Sequence, residues 1–346
     1  MKKGVLLVNL GSPDSTNPTD VKKYLDEFLM DPRVIDVPKW ARILLVRGII
    51  LNTRPKKSAE AYQKIWWEEG SPLIVLSERL QEKVKNNVTI PVALAMRYGS
   101  MTLQKGLQEL VDQGVNDVLV VPLYPQFAMA TTETIDVKVA ELQKEYFPDL
   151  EITSLPAFYN KPDYIKVLSD SISEKIKNLD YEHLLFSYHG VPERHIRKSD
   201  ITSSHCKIND QCCVTPSKAH QYCYRHQCLA TTRMVAEKLN LKEGTYSSSF
   251  QSRLGFDPWL QPYTDRTIER MGLAGTKKLV VVTPAFVSDC LETLEEIAME
   301  GEEIFHEVGG EEFTVIPCLN DRDDWAAVLS RWIEEWQIKD LKTAIA

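Results

Sequence analysis

Apolar residues fall along this chain in two patterns. Short segments rich in Val, Leu and Ile occupy 4–10, 91–96, 117–123 and 150–154, and again 183–188, 278–283 and 313–317, with the more polar TYSSSF at 245–250 completing the second series. Such runs read as strands buried on both faces, because a strand covered by helices has no wet side to alternate with. Between them the apolar positions recur at helical spacing. Leu103, Leu107, Leu110 and Val111 share one face, and Ile135, Val139, Leu142 and Tyr146 share another. Strand and helix alternating in this way predict parallel sheets clad in helices. The two series also keep one rhythm. Their third strands begin at Asp117 and Lys278 and their fourth at Leu150 and Phe313, and the runs VLVVPLYPQF and LVVVTPAFVS are faintly alike. We read an α/β protein of two similar doubly wound, Rossmann-like lobes with a cleft between them. The N-terminal lobe is expected over 1–155, the C-terminal lobe over 156–320 and a closing helix over 321–346.

One stretch interrupts that rhythm. Between the first two strands lie residues 14–90, holding the apolar run PKWARILLVRGIIL at 38–51, then Arg54, Trp66 and Trp67. The region 36–70 reads either as core helix or as an exposed lip over a large apolar ligand or a membrane surface. No segment reaches the roughly 20 apolar residues of a membrane span. Lys2 and Lys3 before GVLLVNLG have the outline of a secretion signal, but GSPD follows where a small-residue cleavage site belongs. A buried first strand explains the run better, so the protein is expected in the cytoplasm, with peripheral contact at the inner face of the membrane as the role open to the lip.

Composition narrows the classes. A chain of 346 residues with 43% hydrophobic and 26% charged positions buries a core without needing disulfides. Its net charge of −8 and lack of a dense Lys/Arg block argue against a nucleic-acid partner. Seven cysteines in a protein of a reducing compartment are not read as disulfides. Five of them lie within 206–228.

Ligands of doubly wound sheets bind beyond the carboxyl ends of the strands. The strand at 183–188 runs into His189, and the strand at 278–283 leads through Cys290 into a helix from about Leu291. That helix carries Glu292, Glu295, Glu296, Glu300, Glu302 and Glu303. Glu292, Glu296 and Glu300 follow i, i+4, i+8 spacing and form one stripe. A charge run is ordinarily a solvated face, and a strand-end histidine is often structural. A histidine facing a carboxylate row can instead hold a divalent cation and move protons. The chain has no phosphate loop, G-x-G-x-x-G or G-x-S-x-G elbow, which argues against nucleotide-dependent and serine-hydrolase chemistry.

These residues carry a family resemblance. LLFSYHGVP at 184–192, SFQSRLGFDPWLQP at 249–262 and VSDCLETLEE at 287–296 resemble the histidine segment, the Q-S…P-W-L-x-P signature and the metal-site helix of ferrochelatases. The stretches at 5–13, 97–99 and 124–127 also match, in the family's order. The resemblance implies a class II chelatase-like fold and a lyase that inserts Fe2+ into protoporphyrin IX, releasing two protons, in the last step of haem synthesis. It implies that His189 and Glu292 are the core of the site, either able to hold iron or take protons, and that Glu296 and Glu300 continue an acidic path. It places Arg54, Tyr124 and Trp259 at the porphyrin, and turns the lip into the rim of its pocket. Cys290 stands where animal members have a histidine, and Met129 where they have an internal cluster cysteine.

The cysteines at 206–228 resemble the segment that holds a 2Fe–2S cluster in some bacterial members. Four thiolates are needed, which the resemblance assigns to Cys206, Cys213, Cys223 and Cys228, with Cys212 as the alternative to its neighbour. The spacing also admits a structural zinc, with His205, His220 and His226 nearby, or free thiols. Three other readings compete with the whole: a cobalt chelatase of a related fold, which the Q-S…P-W-L signature opposes; an iron–sulfur redox or sensor protein, which leaves His189 and the glutamates unexplained; and a non-catalytic haem-binding protein.

Overall fold

The computed structural model describes residues 2–255 and 257–338; Phe256 of the signature and residues 339–346 of the expected closing helix lie outside them. Among the described residues two compact units form. One comprises 2–123, 129–156 and 320–338, the other Tyr124–Ala128 and Ala157–Leu319.

The first unit is built on β1 (Lys3–Asn9), β2 (Val92–Met96), β3 (Asp117–Pro122) and β4 (Glu151–Ser154), all parallel in the order β2-β1-β3-β4. Central β1 pairs Val5 with Val92 on one side and with Leu119 on the other. Val5 to Val8 have no exposed surface, which is why this strand shows no polar alternation. Its helices are α1 (Pro18–Leu29), α2 (Lys39–Leu45), α3 (Leu51–Ile65), α4 (Pro72–Asn87), α5 (Leu103–Asp112) and α6 (Thr134–Tyr146). Asn17 caps α1 by accepting the Thr19 amide, with Pro18 at the first helical position. Leu103, Leu107 and Leu110 of α5 are buried as their spacing predicts. On α6, Ile135, Val139 and Leu142 are buried, but Tyr146 is half exposed. It is the helix's last residue, and its ring rests on Phe147 instead of entering the core.

The interrupting segment forms α2, a π-turn (Val46–Ile50) and α3. Val46, Ile50 and Leu51 face inward, whereas Trp40 is 73% exposed, Leu44 64% and Ile49 57%. Core packing therefore accounts for only one side of this segment. A final helix, Asp323–Ile338, buries Trp325, Trp332 and Trp336. It is held by the Lys3 ammonium 4.5 Å from the Trp336 ring and by Lys83, which pairs with Asp321 and Asp323.

The second unit repeats the plan. Strands β5 (His183–His189), β6 (Tyr246–Gln251), β7 (Lys278–Val282) and β8 (Glu312–Ile316) are parallel in the order β6-β5-β7-β8. Helices α7 (Pro162–Ile176), α8 (Glu193–Lys198), α9 (Asp210–Val214), α10 (Tyr224–Lys238), α11 (Thr264–Leu273) and α12 (Gly301–Glu307) accompany them. The α-helix expected from Leu291 is instead a π-helix over Glu292–Glu300, continuing into α12. No helix among the described residues is long and apolar enough to cross a membrane.

Candidate functional site

His189 is the last residue of β5, in register with Gln251, the last of β6. Its ring is half-buried, edge-on to Phe286, and its Nδ1 lies 2.6 Å from the Gly190 carbonyl. A carbonyl only accepts, so Nδ1 carries the proton and Nε2 keeps the lone pair of the neutral ring. Gly190 is required by close approach. A Cβ there would lie 2.8 Å from the Ser252 carbonyl, 2.9 Å from that of Gln251 and 3.3 Å from the Trp259 ring. Trp259 thus packs on Gly190, the residue after the histidine, oriented by its indole N–H donating to the Leu254 carbonyl at 3.0 Å.

The acidic row meets this strand end through β6. Gln251 Nε2 donates to the Glu292 carbonyl at 2.8 Å and to Glu296 Oε2 at 3.4 Å, while its own Oε1 accepts from Ser187. Ser252 Oγ donates to Glu296 Oε2 at 2.6 Å. Ser252 sits at φ 59°, the left-handed region that non-glycine residues seldom occupy. Burial pushes the Glu296 carboxyl above the usual carboxylate range and the charge of Glu292 adds to that rise. The Ser252 hydroxyl, His189 and Gln251 oppose it. His189, Glu292 and Glu296 are therefore within electrostatic reach of one another. Glu300 is exposed. The π-helix closes through i→i+5 bonds, so its turns are wider than the α-helix the spacing implied. Four-residue steps fall slightly short of a full turn, and the row drifts around the axis.

Sequence reasoning did not single out Gln251 and Ser252 individually. Both lie inside the 249–262 signature, but nothing in their type announces that they bind a carboxylate from another element. Tyr124 is buried. The loop after it is fixed by Gln126 donating to Thr231 and to the Pro284 carbonyl, and by the Phe127 amide donating to Gln227. Arg54 is exposed on α3 of the first unit.

The cysteine segment is organised by protein groups rather than being a loose polar loop. One carbonyl, that of Cys212, accepts from both His205 Nε2 (2.8 Å) and His220 Nε2 (2.9 Å), and that of Cys213 accepts from His226 Nδ1 at 2.6 Å. The rings of His220 and His226 stack at 3.6 Å. Hydrogen bonding to Cys223 pulls the thiols of both Cys206 and Cys213 down to about 6, and the same bonds raise Cys223. The Arg225 guanidinium lies 3.0 Å from the Cys213 sulfur, whereas the Cys212 sulfur turns to the Asn209 carbonyl. Cys228 is fully buried beneath them, and burial raises its thiol. Among the described residues no group of three or more His, Cys, Asp or Glu side chains forms a ready metal-ion site.

Comparison with known proteins gives a consistent result. A family model described as ferrochelatase matches residues 2–337. A protein of Pseudomonas fluorescens (strain Pf0-1) named ferrochelatase is 48% identical over 332 residues, covering 95% of this chain and 97% of that protein. One of Opitutus terrae with the same name is 47% identical over 337 residues, covering 96% and 97%. Among solved structures, SirB from Bacillus subtilis with Fe3+ superposes with a TM-score of 0.55 at 13% identity, over 97% of this chain and 95% of that one. The sirohydrochlorin chelatase SirB from Bacillus subtilis subspecies spizizenii in complex with cobalt gives 0.52 at 12%, over 95% and 94%. At that identity the two structures share the fold with this chain.

Proposed function

The chain belongs to the ferrochelatase family, and on that premise we propose that His189, Glu292 and Glu296 form the site at which it metallates its substrate. It is a metal–porphyrin chelatase, a lyase that inserts ferrous iron into a porphyrin. Two pyrrole N–H protons leave and Fe2+ sheds its water as the metal enters the ring. His189 is suited to the first task, because its Nδ1–H is committed to Gly190 and its Nε2 lone pair is left for the reacting centre. Glu296 is suited to receive protons, because burial has already raised its affinity for one. Glu292 stands at the head of the row, and exposed Glu300 is the point where hydrated iron first meets a carboxylate.

The reading is carried by one observation: beside the strand end that carries His189, Gln251 and Ser252 hold the Glu296 carboxylate and Gln251 also holds the backbone of Glu292. Its test is anaerobic metallation with Fe2+, followed by Soret absorbance. His189→Ala should keep the fold and lose on the order of 10²–10⁴-fold in rate, as expected for an acid–base group. Wild-type turnover in that variant would sink the assignment.

The finer identity of the substrate is protoporphyrin IX, with protohaem as product. Trp259, packed on Gly190, is the surface for the macrocycle, Tyr124 is a second pocket residue and Arg54 is a cation for a propionate. The protein works in the cytoplasm, with the exposed face of Trp40, Leu44 and Ile49 lying against the inner face of the membrane, where an amphipathic segment buries apolar side chains at the headgroup level.

The cysteine segment holds a 2Fe–2S cluster. Supporting this are three thiols already associated, two of them acidified, with Arg225 at one sulfur to offset the added negative charge. Cys206, Cys213, Cys223 and Cys228 would supply the four thiolates. Cys213 is preferred to Cys212, whose sulfur is engaged elsewhere. The histidines bond carbonyls, which favours an all-sulfur set over a mixed zinc site.

A further inference from the structure

The first turn of α10 touches two regions at once. Arg225 and His226 reach back to Asn209, Asp210 and Cys213, and Gln227 to the carbonyls of His220 and Gln221. Between Cys223 and these residues stands Tyr224, 6% exposed, whose side chain points the other way. Its hydroxyl donates to the carbonyl of His189 at 2.8 Å.

That carbonyl belongs to the peptide joining His189 to Gly190. The amide end of the same peptide donates to the Gln251 carbonyl at 2.6 Å. The peptide plane is thus pinned at both ends, by β6 on one side and by Tyr224 on the other. The Gly190 carbonyl, to which the imidazole donates through Nδ1, belongs to the next peptide and departs from this pinned plane through the φ and ψ of Gly190 alone. Gly190 offers no side chain that could hold the plane instead, since a Cβ has no room there. The chain of contacts runs from the Tyr224 hydroxyl to the peptide, to the Gly190 oxygen, to the tautomer and direction of the ring.

We propose that Tyr224 is a positioning residue for His189, fixing the peptide that leaves His189 and so the start of the Gly190 turn whose carbonyl holds the imidazole, so that Nε2 keeps its lone pair and its aim. This rests on the reading of His189 as the group that binds iron or takes protons. Tyr224 also sits within reach of the Cys228 sulfur, the innermost of the proposed cluster ligands. The same hydroxyl therefore connects the cysteine segment to the histidine, and a rearrangement of one is felt at the other.

The test is Tyr224→Phe, which keeps the buried ring and deletes only the hydroxyl. The expected result is a kcat about 10–100-fold lower, the range for loss of a group that orients a functional histidine, with KM for porphyrin and for Fe2+ within about twofold. In protein carrying 15N-histidine, the His189 resonances, assigned by their absence in His189→Ala, should change from one tautomer to a mixture. Tyr224→Phe added to His189→Ala should cost nothing further. Replacing Tyr224 by 3-fluorotyrosine, which restores a hydroxyl at the same place, should restore kcat and the single tautomer. Wild-type kcat and an unchanged 15N spectrum in Tyr224→Phe overturn the proposal. If His189→Ala itself turns over normally, the reading of the site fails, and the 15N spectrum still decides whether Tyr224 orients the ring.

Discussion

Glu296 is held under two opposing demands, a buried position and a charge to be used there. Between the ordinary carboxylate range and its raised value, the folded chain keeps a proton that the unfolded chain has released. Stability tied to this group is present at acid pH and is lost as the pH rises through the raised value. Glu296→Gln removes that loss. Its Tm should match the parent near about pH 4 and exceed it near about pH 7, while metallation collapses. Thermal scans at the two pH values check this, and a gap that does not open with pH contradicts it. Glu300→Gln, at an exposed position, should leave kcat within a few-fold and act on the apparent affinity for Fe2+. At this scale the candidates readable in the sequence were residues whose type is itself informative: a histidine closing an apolar run, glutamates in a row. It did not reveal Gln251, Ser252 or Tyr224. Each works through hydrogen bonds to an element distant in sequence, and an aromatic residue beside cysteines reads as ordinary core.

The elements divide in the same way. The central strands were legible because burial on both faces leaves an unbroken apolar run, whereas β4, β6 and β8, partly exposed and more polar, were legible mainly from their place in the repeating rhythm. The π-helix was not, since carboxylates four apart suit an α-helix equally well and the wider turn comes from the backbone alone. The cysteine segment was legible as a concentration of thiols but not as an ordered piece of protein, because its order comes from side chains on backbone carbonyls. It makes its own prediction. Protein purified without oxygen should be reddish-brown and contain about two iron and two sulfide per chain, as one 2Fe–2S centre requires. Cys223→Ser should bleach it, removing the shared partner of Cys206 and Cys213. Colourless protein with one zinc per chain is the outcome that refutes the cluster. Bleached Cys223→Ser should still resist proteolysis at 200–221, because the histidine–carbonyl bonds do not depend on metal.

For the molecule as a whole, the alternation of strand and helix was enough to give the doubly wound plan and its repetition, with the strand order of the first unit recurring in the second. The placement of the last helix was not legible, because three tryptophans at helical spacing say only that some apolar surface covers them. Trp325 is fully buried in the first unit. Trp325→Ala should cost about 3–5 kcal/mol, the usual range for emptying a tryptophan site, read from urea or thermal unfolding. A loss below about 1 kcal/mol would mean the helix is not part of that core.

The face of Trp40, Leu44 and Ile49 has the opposite character, since removing its apolar groups should cost no stability. Trp40→Gln with Leu44→Gln should leave Tm unchanged and reduce co-sedimentation with anionic phospholipid vesicles several-fold; equal sedimentation of the parent and the variant would separate this face from any lipid role. The same surface governs how molecules meet each other. A patch kept bare in water makes encounters between copies slightly attractive even though each carries a net charge of −8. The osmotic second virial coefficient of the protein should therefore fall as salt screens that charge, and the double variant should stay repulsive at salt concentrations where the parent begins to associate. Whatever the lip contributes in the cell, it also sets a limit on how concentrated this protein can be without a surface to lie on.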